Sequence, residues 1–120
     1  MERISVPHFS NSLSGADGGL KSTSVDLVNY MEFLLKDDNP LITESKKVLL
    51  DLEDYGAGYF WPIRITEEDG TYYNHHGGAF GTQNWLYIYP KYNLGISVIT
   101  NQSDLHTAGK LQNLQENLFL

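Results

Sequence analysis

The sequence predicts an α+β domain, and three observations on the order of its residues lead to this prediction. Residues 22–53 carry apolar side chains at helical spacing, residues 55–101 alternate in the manner of strands, and residues 103–119 return to helical spacing. The expected architecture is an antiparallel sheet of about three to four strands, preceded by two helices and followed by one helix packed on the sheet. Residues 1–21, rich in Ser, Gly and Asn, predict an irregular lead-in to this single domain.

The helix predictions come from capping residues and apolar stripes. Thr23 and Asp26 have the spacing of a capping box, and an acidic turn with a proline ends the helix that they begin. Thr43 is expected to cap a second, shorter helix, and Ser103 or Asp104 the last one. The first stripe comprises Val25, Leu27, Val28, Met31, Leu34 and Leu35, the second Val48, Leu49 and Leu52, and the last Leu105, Ala108, Leu111, Leu114 and Leu118.

The strand predictions come from alternation and turn signals. The first strand contains glycines, which allow another backbone to approach closely, and it is followed by a hairpin signal at Asp69-Gly70. The third strand is apolar on both alternations, which predicts a strand covered on both faces. The four predicted strands span residues 55–66, 71–78, 84–89 and 94–101.

The composition argues against several classes of function. With 8 Lys and Arg and a formal net charge of −7, the chain lacks the basic face that phosphate binding requires, so nucleic acid is not an expected partner. The absence of cysteine removes disulfides and thiolate chemistry. The four histidines lack the helical His-x-x-x-His spacing of a zinc site. No apolar run approaches the roughly 20 residues that span a membrane, and the first residues do not have the pattern of a signal peptide.

Three acidic clusters lie beside Pro, Gly or Asn, where they are typical of solvated turns. A calcium loop is the alternative interpretation, but the alternating oxygen ligands that such a loop needs are missing.

The segment 73–101 carries the most information about function. It contains the motif His-His-Gly-Gly at 75–78 near its start and continues through aromatic-rich strand sequence and Pro90. Two further blocks precede it, Gly-Gly-Leu-Lys-Ser-Thr-Ser at 18–24 and Tyr-Gly-Ala-Gly-Tyr at 55–59. In this order and spacing, the blocks resemble the serine β-lactamase and penicillin-binding-protein-like superfamily, in particular its class C β-lactamase, esterase and D-aminopeptidase group.

The resemblance implies roles for three residues. His75 would occupy the third active-site motif, Lys-Thr-Gly or His-x-Gly, on the strand that borders the catalytic serine. Gly77 would let the substrate backbone approach that strand, and the Gly78 N–H would supply one of two oxyanion-hole donors, typically worth about 3–4 kcal/mol in the transition state. Because histidine is only partly charged near neutral pH, the motif favours ester, amide or peptide substrates over β-lactams.

Two motifs of the superfamily have no counterpart among these 120 residues. None of the serines is followed three residues later by lysine, so the Ser-x-x-Lys nucleophile and base have no candidate. Tyr72-Tyr73-Asn74 matches the residue pattern of the second motif, which is Tyr-x-Asn or Ser-x-Asn. We interpret this match as chance, because the segment adjoins His75 on the same strand and cannot face it across a cleft. The resemblance therefore implies the C-terminal portion of a serine acyl hydrolase that works through an acyl-serine intermediate, with this chain alone inactive.

Other interpretations stay open at the level of sequence. Without the flanking blocks, His75 would be interpreted as a surface strand histidine, and His76, on the opposite face, is interpreted as structural. A Ser-His-Asp triad of an unrelated type is compatible with the sequence, because triads are recognised by geometry. The second hypothesis is a non-catalytic binding or assembly module that forms homo-oligomers through the strand edge at 94–100 or through the last helix.

The resemblance also carries expectations about partners and location. It implies a small-molecule ester, amide or peptide substrate in the complete protein and no cofactor. Members of this superfamily usually work outside the cytoplasm, so an extracytoplasmic location is expected from the resemblance alone.

Overall fold

The computed structural model describes residues 18–53, 55–104 and 106–119. Its architecture is α+β, as predicted, but the sheet has six strands, so the prediction of three to four strands is wrong. Residues 1–17 of the predicted lead-in lie outside the described part of the chain. The helices are α1 (Ser24–Lys36), α2 (Pro40–Ser45) and α3 (Thr107–Glu116); the strands are β1 (Leu50–Leu52), β2 (Tyr55–Ala57), β3 (Pro62–Thr66), β4 (Gly70–Ala79), β5 (Thr82–Tyr89) and β6 (Leu94–Thr100).

The sheet is a meander in which every strand lies beside its neighbour in sequence, from β1 to β6. The pairing of β1 with β2 is antiparallel and places Leu50 opposite Ala57. The pairing of β2 with β3, and of β3 with β4, is also antiparallel, and in the second pair Ile63 lies opposite Tyr73. Short connections between consecutive strands therefore build the whole sheet.

The additional strands arise around a turn that the sequence prediction missed. Residues 55–66 were expected to form one strand, but the Gly58 N–H donates to the Trp61 carbonyl at 2.9 Å and divides the segment into β2 and β3. Leu50–Leu52, expected to be helical, pairs with β2 instead. A short apolar run such as Val-Leu-Leu does not distinguish a helix from a strand by its periodicity.

By its contacts the chain divides into two compact units. The helical unit consists of Thr23–His75 and Leu86–Ser97. The described residues of the terminal unit are 18–22, 76–85 and 98–119. Each unit is held together by its own contacts.

The core of the helical unit forms where α1 meets the strands. Met31 reaches so close to β6 that a Cβ on Gly95 would lie 2.8 Å from the Met31 Cβ, so this position accommodates only glycine. Val25 and Val28, predicted as part of the buried stripe, are instead 67% and 50% exposed. The buried cluster comprises Met31, Leu34, Trp61, Ile63 and Ile88, and Leu35, Ile42, Tyr73 and Leu86 pack against it.

Both ends of α1 are capped by side chains. Thr23 Oγ1 accepts a hydrogen bond from the Asp26 N–H at 3.1 Å, which confirms the predicted start. At the other end, the Lys46 ammonium donates to the Leu34 carbonyl at 2.6 Å and lies 3.5 Å from an Asp37 carboxylate oxygen. The lysine side chain is only 9% exposed, so it supplies a buried positive charge at the helix C-terminus, where the helix dipole favours one.

Helix α2 begins earlier than predicted. The carboxamide oxygen of Asn39 accepts from the Leu41 N–H at 2.9 Å, and Pro40 occupies the first helical position. Thr43, predicted as the cap, lies inside the helix and donates to the Asn39 carbonyl. The prediction failed because Asn-Pro was assigned only to the end of the preceding helix, although the same pair also starts the next one.

Helix α3 belongs to the terminal unit and begins at Thr107, later than the predicted Ser103 or Asp104 cap. It contacts strand β5, since the Trp85 indole N–H donates to the Ala108 carbonyl at 3.0 Å. The buried face consists of Thr107, Leu111 and Gln115, spaced four residues apart. The predicted stripe is wrong in its second half, because Leu114 and Leu118 are 55% and 59% exposed; Leu105 lies outside the described residues.

We expect Gly58→Ala to destabilise the helical unit. The added Cβ would lie 2.7 Å from the Ser45 carbonyl oxygen and 3.0 Å from that of Lys47, and backbone atoms cannot move aside cheaply. The expected loss in the free energy of unfolding is about 1–3 kcal/mol, measured by urea titration. Gly109→Ala on α3 is the matched control, because its Cβ meets nothing within 4 Å and alanine favours the helix by about 1 kcal/mol. Equal effects of both variants would contradict the packing described for Gly58.

The neighbouring lysines 46 and 47 allow a second test. Lys46→Met leaves the Leu34 carbonyl without its buried charged donor, and we expect a loss of about 1–3 kcal/mol in the free energy of unfolding. Lys47→Met removes only an exposed ion pair with Glu44, so its unfolding curve should overlay that of the unmodified chain. If the unfolding curve of Lys46→Met also overlaid that of the unmodified chain, the result would show that this lysine does not stabilise α1.

Candidate active site

Strand β4 carries the three candidate site residues predicted from the sequence, His75, Gly77 and Gly78. A turn lies at each end of this strand. Gly70 has a φ of 70° at the start of the strand, where only glycine is free of strain, and Gly81 has a φ of 77° in the tight turn that leads to β5. The structure therefore places His75, Gly77 and Gly78 on one continuous strand. Asn74, part of the apparent second motif, is buried on this same strand.

The side chain of His75 is exposed and rests against an aromatic residue of the helical unit. Its ring meets the Trp61 indole edge-on, with centroids 6.4 Å apart and an interplanar angle of 89°. The same indole contacts Tyr73 edge-on at 6.4 Å. Trp61 is itself buried, and its N–H donates to Ser45 Oγ at 3.3 Å. A fixed aromatic surface thus supports the imidazole while leaving it accessible.

The pairing of β4 with β3 covers only the first part of β4. The register runs from Thr66 opposite Gly70 to Ile63 opposite Tyr73 and then stops. Within the described part of the chain, residues 74–79 have no partner on the β3 side.

Each of the two glycines on β4 lies beneath a carboxamide from β5. The Asn84 side chain covers Gly77, with its oxygen and nitrogen 2.8 and 2.9 Å from where a Cβ would be. Gln83 covers Gly78 in the same manner, at 2.7 and 2.9 Å. Because successive side chains on a strand point to opposite faces, the two carboxamides lie on opposite faces of the sheet. Both glycine positions are therefore closed to any larger residue unless a carboxamide moves.

His76 belongs to the terminal unit and is held in place by β5. Its Nε2 lies 2.6 Å from Gln83 Oε1, and its ring lies 4.7 Å from the Trp85 ring, tilted by 38°. Trp85 in turn is anchored to Ala108 of α3. These contacts give His76 a packing role.

Tyr73, in the helical unit, has a raised pKa. Burial raises the pKa of its phenol, and the negative charge of Asp37 raises that pKa further. The Lys46 ammonium lies 5.5 Å from the Tyr73 ring centroid, a cation–π distance. Tyr73 is therefore a neutral side chain, well suited to pack beside Trp61.

Ser45 and Ser103 each make a hydrogen bond to the main chain. Ser45 Oγ donates to the Ile42 carbonyl at 2.8 Å, and Ser103 Oγ accepts from the Gly81 N–H at 2.9 Å. For these two serines the described part of the chain supplies no lysine or histidine within hydrogen-bond distance, as an activated serine requires.

The described residues contain no helix long and apolar enough to cross a membrane. The same part of the chain holds no group of three or more His, Cys, Asp or Glu side chains placed to bind a metal ion.

Strand β4 carries an exposed histidine and two adjacent glycines within an α+β fold. In a comparison with protein families, the family model described as Beta-lactamase matches residues 2–119. The chain therefore belongs to the serine β-lactamase and penicillin-binding-protein-like hydrolase family. A search of curated proteins found no match.

The sequence analysis missed several residues that shape this strand, above all Gln83 and Asn84. A signal was present, since a two-residue turn at Phe80-Gly81 sets the pairing of β4 with β5 and so places each carboxamide opposite a glycine. The contact of Trp61 with His75 has no signal in the sequence.

The raised pKa of Tyr73 predicts a loss of stability in alkali. Because the folded pKa exceeds that of the unfolded chain, the contribution of Tyr73 is fully present below the unfolded pKa of about 10. It is lost as the pH rises through the folded pKa. Between about pH 9 and 11, Tyr73→Phe should therefore lose less unfolding free energy than the unmodified chain, as measured by urea titration at each pH.

Asp37→Asn is the matched control for this effect. It keeps the Tyr73 ring and its burial but removes the charge, so the pKa of Tyr73, followed by phenolate absorbance, should shift back toward its ordinary value. An unchanged phenolate titration in Asp37→Asn would contradict the electrostatic account.

Proposed function

We propose that this chain supplies one side of the active site of a serine acyl hydrolase that acts through an acyl-serine intermediate. In this proposal His75 and Gly78 are catalytic residues and Gly77 binds substrate. The family assignment supports the reaction class. The observation that carries the proposal is that the pairing of β3 with β4 stops at Tyr73, just before the exposed His75.

In this proposal the part of β4 beyond its pairing with β3 receives an extended acyl substrate. A peptide-like chain can lie along residues 75–78 and use the main-chain groups that β3 leaves unpaired, as an added strand does. Such an arrangement places the scissile carbonyl near the backbone of Gly78, whose N–H stabilises the negative charge that develops on the carbonyl oxygen. The His75 imidazole donates a hydrogen bond to the substrate carboxylate or to the group that activates the serine.

The nucleophile comes from polypeptide outside residues 1–120, because the sequence contains no Ser-x-x-Lys. The serine oxygen attacks the carbonyl, the alcohol or amine leaves with a proton, and water then hydrolyses the acyl-serine. Ester, amide and peptide substrates fit this proposal better than β-lactams, since histidine holds a carboxylate less firmly than lysine does. The location outside the cytoplasm is likewise proposed from the family.

Covalent labelling tests this proposal. The 120-residue chain should not react with a fluorophosphonate or a penicillin probe, whereas a longer product of the same coding sequence that includes Ser-x-x-Lys should be labelled. In that longer product His75→Ala should slow labelling by about 10²-fold or more, and the control variant His76→Ala should label at the unmodified rate. Labelling of the short chain, or an upstream sequence without Ser-x-x-Lys, would overturn the proposal.

A second candidate function is a non-catalytic assembly module, and the position of β6 favours it. This strand of seven residues is last in the sheet order, so within the described residues one of its edges has no neighbouring strand. Ile99 on this strand is 57% exposed. An unpaired strand that presents apolar side chains is a template for pairing with a second copy.

Light scattering distinguishes the assembly module from a monomeric domain. Self-pairing predicts dimers or larger species at tens of micromolar, and Ile99→Lys should return them to monomers because a charged edge strand resists pairing. Leu114→Lys, on the exposed face of α3, reports on the alternative contact through the last helix. A monomer at this concentration in the unmodified chain would exclude the module.

A further inference from the structure

Trp61 and His75 lie opposite each other, just beyond the point where the pairing of β3 with β4 ends. Ile63 lies opposite Tyr73 in that pairing, so the same register continued by two residues places Trp61 opposite His75. The two rings make the contact of a cross-strand aromatic pair, with centroids 6.4 Å apart and an interplanar angle of 89°. Within the described residues, a side-chain contact therefore takes the place of main-chain pairing at His75.

The indole of Trp61 is fixed by hydrogen bonds at its main chain and at its ring. Its carbonyl accepts from the Gly58 N–H at 2.9 Å, and its ring N–H donates to Ser45 Oγ at 3.3 Å. The Ser45 hydroxyl proton is used in a hydrogen bond to the Ile42 carbonyl of α2 at 2.8 Å, which leaves the serine oxygen to accept from the indole. Only 7% of Trp61 is exposed. These contacts hold the indole in place against α2.

The imidazole of His75, by contrast, is exposed and makes no hydrogen bond to any described residue. An exposed side chain of this kind has several staggered rotamers open to it. An edge-on aromatic contact contributes enough attraction to favour one of them by about two- to tenfold. The contact with Trp61 therefore orients a histidine that no hydrogen bond within the described chain orients.

We propose that Trp61 is a positioning residue for His75, and that its buried indole selects the orientation in which the imidazole meets the substrate. This inference rests on the proposed function, since it requires His75 to act in the site. Trp61 touches no reacting group and acts only through His75. A small displacement of a catalytic group lowers the rate of reaction, so the fixed position of the indole affects catalysis although the indole lies in the core.

NMR of the 120-residue chain labelled with ¹³C,¹⁵N-histidine tests the orientation without turnover. In the unmodified chain we expect nuclear Overhauser effects between imidazole and indole protons, and Hα–Hβ couplings of His75 that correspond to one dominant χ1 rotamer. In Trp61→Leu these couplings should move to values averaged over rotamers, and Trp61→Phe, which keeps an aromatic ring, should restore them. The matched control is Trp85→Phe, which changes the ring beside His76 and should leave the couplings of His75 unchanged.

Two results of this measurement would overturn the inference. One is a set of rotamer-averaged couplings for His75 in the unmodified chain, and the other is unchanged couplings in Trp61→Leu. The first result needs no variant, so the test remains decisive even if Trp61→Leu fails to fold.

A double-mutant cycle in the longer product that contains Ser-x-x-Lys separates positioning from a general loss of structure. Trp61→Leu should slow covalent labelling by about two- to tenfold, the factor by which the contact favours one orientation, and Trp61→Phe should restore most of the rate. In the His75→Ala background, Trp61→Leu should have no further effect, because the residue through which it acts is absent. Equal slowing in both backgrounds would overturn the inference while leaving the hydrolase proposal standing. Failure of the hydrolase proposal would instead appear as a missing Ser-x-x-Lys upstream, with the NMR result for His75 retained.

Discussion

The unequal lengths of two paired strands determine the candidate site. β4 has ten residues and β3 has five, and their pairing ends at Tyr73, so the second half of β4 has no partner on that side among the described residues. The pairing of β3 with β4 stops at this point because Pro62, at the start of β3, has no N–H to donate. Just before it, the Gly58–Trp61 hydrogen bond turns the chain away. A longer β3 would cover the strand edge that carries His75.

Trp61 joins that turn to the histidine. The turn that precedes β3 also sends this side chain into the core, where Ser45 accepts a hydrogen bond from its N–H and where it contacts Tyr73 and His75. The last residue of this turn therefore also supplies the aromatic surface beneath the imidazole. The neutral Tyr73 phenol, with its raised pKa, allows this packing without placing a second charge beside Lys46.

Much of this arrangement could be predicted from local sequence, and the exceptions have physical causes. The Thr23 cap, the turn at Gly70 and the strand bearing the His-His-Gly-Gly motif depend on neighbouring residues, and the sequence analysis placed all three correctly. The run Leu50–Leu52 became a strand because β2 offers it partners, which no local pattern reveals. On α3, by contrast, the buried face includes Gln115 and leaves Leu114 exposed, so apolar residues alone gave the wrong stripe. Carboxamide placement was missed for a similar reason, since it depends on pairing across a turn.

Within the described residues, packing explains the two glycines of the motif. Each accommodates a carboxamide from β5, Asn84 over Gly77 and Gln83 over Gly78, and a Cβ at either position would require that carboxamide to move. A substrate that approaches this strand, as the proposed function requires, must therefore use the strand edge or displace a carboxamide.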